Sequence, residues 1–110
     1  MSAPFEIREY AEGGRSPFGE WFDDLDPVTA ARVDRSIRRL ESGNFGAAKM
    51  LREGVSELRL DFGPGYRVYL GRDGKTIIVL LGGGSKRRQN ADIAAAIARW
   101  QRYEQAKKEK

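Results

Sequence analysis

Two arginines lie in segments that otherwise alternate like β-strands. Arg59 belongs to VSELRL at 55–60, and Arg67 belongs to YRVYL at 66–70. A strand needs no cation at such a position, whereas the planar fork of an arginine side chain binds two phosphate oxygens at once. If the register of the two strands places both side chains on one face of a sheet, the two arginines form a paired phosphate clamp.

A purely structural role is the alternative for these arginines. Arg59 then pairs with Glu57, Asp61 or a carboxylate on the neighbouring strand, and Arg67 lies over the ring of Tyr69. Exposed ion pairs of this kind are common on protein surfaces and stabilise a fold only slightly. The spacing of the residues leaves both interpretations open.

The positive charge of the chain is concentrated in its second half. Residues 1–54 carry 8 Lys and Arg against 10 Asp and Glu, whereas residues 55–110 carry 12 against 6, within a net charge of +4. A basic excess favours a polyanionic partner such as nucleic acid, although it also serves solubility alone. Lys86, Arg87 and Arg88 form a run of cations after the last predicted strand, where a basic loop can reach an RNA backbone.

The chain contains no cysteine and no histidine. Thiolate and imidazole chemistry are therefore excluded, any catalysis must use Arg, Lys, Tyr, Asp or Glu, and we expect neither a metal nor another cofactor. The sequence has no apolar run of membrane-spanning length and no signal pattern at its amino terminus, so we expect a cytoplasmic protein without a membrane partner. A length of 110 residues predicts one domain over residues 1–110.

The first half of the chain predicts a strand and two helices. FEIREY at 5–10 alternates as a half-buried strand does. Ser16 and Asp26 each precede a proline, as helix-capping residues do. Two apolar stripes at helical spacing follow these caps: Phe18, Trp21, Phe22 and Leu25, then Val33, Ile37 and Leu40. We expect a helical hairpin with its stripes turned towards a sheet.

The second half predicts three strands and a final helix. Gly-Pro-Gly at 63–65 and Asp-Gly at 73–74 mark turns between the strands. The run TIIVLL at 76–81 is apolar on both faces, which is typical of a central strand, and we expect the glycines at 82–84 to end it. Asn90 is expected to cap the helix, and its buried side contains Ile93, Ile97, Trp100 and Tyr103.

These motifs resemble a known family. The stretches LESGNFGAAKMLREGVSELRLDFGPGYRVYL and TIIVLLGGGSKRRQNADIAAA are similar to the RelE/ParE superfamily of toxins from bacterial type II toxin-antitoxin modules, and to its addiction module killer protein branch in particular. The resemblance implies an α+β fold in which a small antiparallel sheet packs on an N-terminal helical hairpin, with a C-terminal helix and the order β-α-α-β-β-β-α. It also implies a cytoplasmic toxin, neutralised by a cognate antitoxin that we expect to be a helix-turn-helix protein.

The resemblance implies two activities, because RelE-like members cut mRNA on the ribosome and ParE-like members inhibit DNA gyrase. We expect an mRNA endonuclease that blocks translation without a metal. A non-catalytic inhibitor that binds DNA gyrase or another protein is the alternative, and a decayed toxin that only binds its antitoxin is a third possibility.

The resemblance also implies site residues. Arg67 matches the arginine that contacts the scissile phosphate in the mRNA-cutting members, and Lys86 matches the lysine of the motif GG-x-K-x-x-Q at 83–89. Arg59 is expected beside them. Arg87 and Arg88 are candidates for the RNA backbone. Tyr66 and Tyr69 are candidates for stacking on bases, although aromatic residues that alternate on a strand more often belong to the core.

The general acid and base are less clear from the sequence. RelE-like enzymes use lysines on the first hairpin strand and a tyrosine near the final helix, whereas this chain has SELRLD on that strand and no tyrosine between residues 86 and 98. We therefore assign Glu57 as the candidate base. Lys86 is the candidate acid, because the neighbouring like charges favour release of its proton.

Overall fold

The computed structural model describes residues 4–109 as one five-stranded sheet and three α-helices. In chain order the elements are β1 (Glu6–Glu9), α1 (Pro17–Asp23), α2 (Pro27–Glu41), β2 (Ala48–Arg52), β3 (Val55–Leu60), β4 (Tyr66–Asp73), β5 (Ile77–Ser85), a 3₁₀ turn (Lys86–Arg88) and α3 (Gln89–Lys108). Within these residues no helix is long and apolar enough to cross a membrane. The α+β class and the C-terminal helix agree with the expectation from the sequence.

The first two helices begin where their capping residues predict. The Ser16 hydroxyl accepts a hydrogen bond from the Gly19 amide at 2.9 Å, and the Asp26 carboxylate accepts one from the Thr29 amide at 3.1 Å. Each cap satisfies an amide that has no partner inside its helix, and each is followed by proline, whose missing N–H costs nothing at this position. Both predicted helix starts are confirmed.

The sheet is mixed, and the predicted all-antiparallel sheet was wrong. The strand order is β1-β5-β4-β3-β2, and β1 runs parallel to β5 with Glu6 opposite Ile77 and Glu9 opposite Leu80. The other three pairings are antiparallel. A parallel pair needs a long crossover connection, and the chain between β1 and β5 contains two helices and three strands, which is more than enough.

Strand β2 was missed from the sequence, so the predicted order lacked one strand. Ala48–Arg52 pairs antiparallel with β3, and the observed order is β-α-α-β-β-β-β-α. The sequence AKMLR shows no alternation, and Met50 at the edge of the sheet is 79% exposed. The turn into β3 uses Glu53 and Gly54, both in the left-handed region with φ of 53° and 83°. Asp-Gly or Asn-Gly is the usual signal for such a turn, and Glu-Gly is a weaker one.

The three glycines at 82–84 lie inside β5 and do not end it. Side chains would not fit there, because a Cβ on Gly83 would overlap the Trp21 ring of α1 and a Cβ on Gly84 would overlap the Asp92 carboxylate of α3. The glycines therefore let helices approach both faces of the strand. The final helix begins at Gln89 after the 3₁₀ turn, so the predicted cap at Asn90 was also wrong.

Helices cover the sheet on both faces, and each face has its own core. The hairpin of α1 and α2 covers one core, whose buried residues are Phe18, Val33, Ile37, Leu40, Leu58, Leu60, Val68, Leu70, Ile78 and Leu80. Helix α3 covers the other, with Tyr10, Val55, Tyr69, Val79, Leu81, Ile93, Ala96, Ile97 and Trp100. Residues 78–81 of the run TIIVLL and Trp100 are buried as predicted, whereas Thr76 is exposed and Ile77 is half-buried.

The contact between Gly71 and Trp100 gives a test of this packing. A Cβ on Gly71 would overlap the Trp100 ring, so we expect Gly71→Ala to lower the free energy of unfolding by about 1–3 kcal/mol, as overpacking does. Urea denaturation followed by circular dichroism measures the change. Gly46→Ala is the control, because a Cβ there meets only the Asn44 side-chain oxygen. Equal stabilities of the two variants would contradict the packing of α3 on the sheet.

Candidate active site

Arg59 and Arg67 lie directly opposite each other on neighbouring strands. The register of β3 and β4 pairs Arg59 with Arg67, and the register of β4 and β5 pairs Arg67 with Gly84. Directly opposed residues point to the same face of a sheet, which here is the face that α3 covers. The two arginine side chains therefore lie on one face of adjacent strands, which is the condition for a paired clamp.

The ends of three strands bring Arg67 and Lys86 together. The backbone amide of Lys86 donates a hydrogen bond to the Pro64 carbonyl at 3.4 Å in the Gly-Pro-Gly turn. A Cβ on Gly65 would lie 3.2 Å from Arg67 Nη1 and 3.4 Å from Lys86 Cβ, so both side chains border the same glycine. Gly65 also has φ of 75°, which disfavours other residues. The Gly-Pro-Gly turn therefore holds the start of β4 next to Lys86, the first residue of the 3₁₀ turn.

Glu57 is fully buried and links the two arginines. Arg59 Nε lies 3.0 Å from Glu57 Oε1, and Arg67 Nε lies 3.5 Å from Glu57 Oε2. The Gln89 side-chain amide, at the start of α3, donates a hydrogen bond to Glu57 Oε2 at 2.8 Å. A buried carboxylate is tolerated only when it is paired and hydrogen-bonded, and Glu57 meets both conditions.

The two arginines differ in exposure and therefore in what they can do. The side chain of Arg59 is 47% exposed, whereas that of Arg67 is 9% exposed. The guanidinium of Arg67 donates from Nη1 to the Gly65 carbonyl at 2.7 Å, which fixes its orientation. Arg59 is the accessible cation of the pair, and Arg67 is the more buried one with a fixed orientation.

Glu57 does not fit the predicted role of general base. One of its oxygens accepts from Arg59, the other accepts from Gln89, and its side chain has no exposed surface. A base must reach the proton that it removes. The carboxylate instead orients the two arginines. The predicted ion pair of Arg59 with Glu57 is therefore present together with the arrangement of both arginines on one face.

The two predicted tyrosines differ in burial, and both pack within the fold. The Tyr69 ring is completely buried, so it cannot stack on an RNA base as predicted. Burial, together with the nearby Glu57 charge, raises the pKa of the Tyr69 hydroxyl, which has no hydrogen-bond partner among residues 4–109. Tyr66 is half-buried on the opposite face, with Phe62 and Trp21 at ring-centroid distances of 5.3 Å and 6.3 Å. Its position matches the core alternative.

The basic run lies exposed at the carboxyl end of β5, as predicted. Lys86, Arg87 and Arg88 form the 3₁₀ turn and border a shallow cavity of about 350 Å³ that extends to Ala91. None of the three forms a salt bridge with another residue in the part of the chain described. Three unpaired cations beside Arg59 and Arg67 make this end of the sheet strongly positive.

Two residues of the site were not assigned from the sequence. Gln89 ends the motif GG-x-K-x-x-Q, which predicts no role for it, and in the structure its side-chain amide donates a hydrogen bond to Glu57. Asp92 lies against Gly84, the cross-strand partner of Arg67. Burial raises the pKa of Asp92, while the charges of Arg88 and Arg99 act in the opposite direction. Its position depends on how α3 docks, and no local pattern signals that.

Comparison with known proteins places the chain in a family. It is 42% identical over 80 residues to a protein of Haemophilus influenzae strain Rd that is described as uncharacterized, and the match covers 72% of this chain and 81% of that protein. The chain belongs to the same family as that protein. No protein-family model matches the chain. The family is thus shown by a relative whose description carries no activity. Among residues 4–109 there is also no group of three or more acidic residues placed to hold a metal ion.

The buried pairing of Glu57 predicts a large loss of stability when its charge is removed. Glu57→Gln keeps the shape but leaves Arg67 buried without an opposite charge, so we expect the free energy of unfolding to fall by about 3–5 kcal/mol. Urea denaturation measures this loss. Glu20→Gln is the matched control, because both Glu20 and its ion-pair partner Arg15 are exposed. A loss of under about 1 kcal/mol for both variants would show that Glu57 is not a structural centre.

The raised pKa of Asp92 predicts a pH-dependent stability. The folded chain holds this proton more tightly than the unfolded chain, so its contribution is complete below the ordinary pKa of about 4 and is lost as the pH rises through the folded value. Asp92→Asn mimics the protonated form. We expect this variant to gain stability relative to wild type between about pH 4 and pH 7. Asp34→Asn, at an exposed carboxylate, is the control, and a pH-independent difference for Asp92→Asn would contradict the assignment.

Proposed function

We propose that the chain is the toxin of a type II toxin-antitoxin module of the RelE/ParE superfamily and acts as an mRNA endonuclease. The observation that carries the proposal is the direct pairing of Arg59 and Arg67 on one face, beside Lys86. The order of elements departs from the expected one by strand β2, and the helical hairpin, the antiparallel strands and the C-terminal helix agree with it. The motif residues Gly65, Lys86 and Gln89 are in contact with the site, which supports the resemblance.

The proposed reaction is attack of a ribose 2′-hydroxyl on the adjacent phosphate. Negative charge develops on the phosphoryl oxygens, and fixed cations stabilise it most when they need no rearrangement. Arg67 is suited to this task because Glu57 and the Gly65 carbonyl hold it in place. Arg59 and Lys86 are more exposed and bind the phosphate from either side. Arg87 and Arg88 contact the RNA backbone beyond it.

The proton transfers require groups other than Glu57. Asp92 is the carboxyl at this end of the sheet whose pKa is raised, which makes it a better base near neutral pH than an ordinary aspartate. Lys86 remains the candidate acid for the leaving 5′-oxygen. In this scheme the 2′-oxygen forms its bond to phosphorus as Asp92 takes its proton, and the 5′-oxygen leaves with a proton from Lys86. No metal enters the reaction.

The setting of the toxin follows from the proposal. The protein acts in the cytoplasm on mRNA, either on the ribosome or on free mRNA, and it is neutralised by a cognate helix-turn-helix antitoxin. An adjacent reading frame for such an antitoxin would support the setting, though not the target.

A non-catalytic inhibitor that binds DNA gyrase is the second candidate. One observation favours it: Arg67 has only 7% of its surface exposed, and Glu57 already partly neutralises both arginines. In that case the basic end of the sheet is a protein-contact surface. The two candidates differ in whether mRNA is cut.

Arrest of growth and mRNA cleavage, measured together, test the proposal. Induced expression without antitoxin is followed by growth and by mRNA 5′-end mapping for wild type, Arg67→Lys and Arg59→Gln. We expect new 5′ ends with wild type and a loss of about 10²–10³-fold in cleavage with Arg67→Lys, because lysine cannot hold two phosphate oxygens in a fixed plane. Lys75→Gln is the control, since Lys75 lies in the turn at the other end of β4.

The outcomes separate the two candidates. Growth arrest with intact mRNA contradicts the nuclease and points to gyrase, which a supercoiling assay then tests. Absence of arrest with a folded wild-type protein contradicts both. Circular dichroism of each variant establishes that a lost activity does not come from unfolding.

A further inference from the structure

A second basic surface lies on helix α2, next to the candidate active site. A groove of about 310 Å³, the α2 groove, is lined by Arg32, Arg35 and Arg39 and also borders Arg59 and Phe62. The three α2 arginines are spaced at i, i+3 and i+7, which places them along one face of the helix. A smaller cavity of about 230 Å³ shares Arg39 with this groove and continues it towards Gly46.

These arginines have no carboxylate partner among residues 4–109, whereas Arg38 on the same helix does. Arg38 lies 3.6 Å from Asp34 and 2.8 Å from Glu41. Like charges at i, i+3 and i+4 destabilise a helix by a few tenths of a kcal/mol per pair. The α2 groove therefore carries an uncompensated positive charge, with Asp61 as the carboxylate on its border.

The floor of the α2 groove is partly apolar and begins at Arg59. At this end, the pairing of β2 with β3 stops at the hydrogen bond that the Arg59 amide donates to the Ala47 carbonyl, at 3.1 Å. Beyond this point Leu60 and Phe62 border the groove, and the guanidinium of Arg32 lies over the Phe62 ring at 4.7 Å. Cations that follow a path beside an aromatic ring are typical of single-stranded nucleic-acid sites.

We propose that the α2 groove binds the sugar–phosphate backbone of single-stranded RNA that continues from the Arg59–Arg67 site. The proposal rests on the proposed function and extends it from one phosphate to a path. A rise of about 1.5 Å per residue puts Arg32 and Arg39 about 10 Å apart along the helix, which matches the axial rise of about three nucleotide steps in a stacked strand. Arg59 borders both the groove and the clamp and so joins them.

The test uses a fluorescein-labelled 2′-O-methyl RNA, which cannot be cut because it lacks free 2′-hydroxyls. Fluorescence anisotropy gives the binding constant over a series of salt concentrations for wild type and for Arg35→Gln/Arg39→Gln. Each lost phosphate contact reduces the slope of log K against log salt by about 0.7, so we expect a reduction of about 1.4 for the double variant. Lys75→Gln/Lys108→Gln removes the same charge elsewhere and should keep more of the slope.

The outcomes decide between the groove and the clamp. A double variant with the wild-type slope overturns the groove proposal, and if Arg59→Gln still lowers the slope the nuclease proposal is unaffected. Equal reductions of the salt slope in both double variants show a general effect of net charge and also overturn the groove proposal. If labelled poly-glutamate binds through Arg35 and Arg39 while RNA does not, the groove takes an acidic protein segment instead. The 5′-end mapping tests the nuclease independently of all these results.

Discussion

The buried carboxylate of Glu57 is the interaction on which the site depends. It lies between β3, β4 and the first turn of α3, because its partners Arg59, Arg67 and Gln89 come from these three elements. Removing a charge from water is costly, and only the arginines and the amide repay that cost. The carboxylate therefore couples the docking of α3 to the orientation of the arginines. An anion at the surface then meets cations that are already held in place.

Glycines also determine the position of the site, because they set how closely the helices approach the sheet. Gly71 leaves room for Trp100 of α3, and Gly83 leaves room for Trp21 of α1. Helices on both faces at this distance keep β5 buried and fix the end from which Lys86 emerges. The stability of the fold and the position of the basic turn are thus parts of one packing arrangement. Gly83 belongs to the run at 82–84 that was expected from the sequence to end the strand.

Local patterns predicted the elements better than their arrangement. Capping residues and apolar stripes located α1 and α2, and alternation located β3 and β4, because these signals act within a few residues. Strand β2, the parallel pairing of β1 and the position of Asp92 depend on contacts between distant segments, which periodicity does not contain. For the site, the sequence placed Arg59 and Arg67 on neighbouring strands but left open whether they share a face, which the register of β3 and β4 decides. It did not predict that Glu57 would be buried between them, since a glutamate on a strand usually points to solvent.

We propose that Arg59 and Arg67 together bind an RNA phosphate. The most direct measurement follows the side-chain Nε–Hε signals of the two arginines by nuclear magnetic resonance while the uncleavable 2′-O-methyl RNA is added. We expect both signals to shift with the same dependence on RNA concentration. We also expect Arg59→Gln to weaken the RNA binding that is measured from the Arg67 signal. Unchanged signals at both arginines, while RNA shifts signals elsewhere or none at all, would contradict the claim.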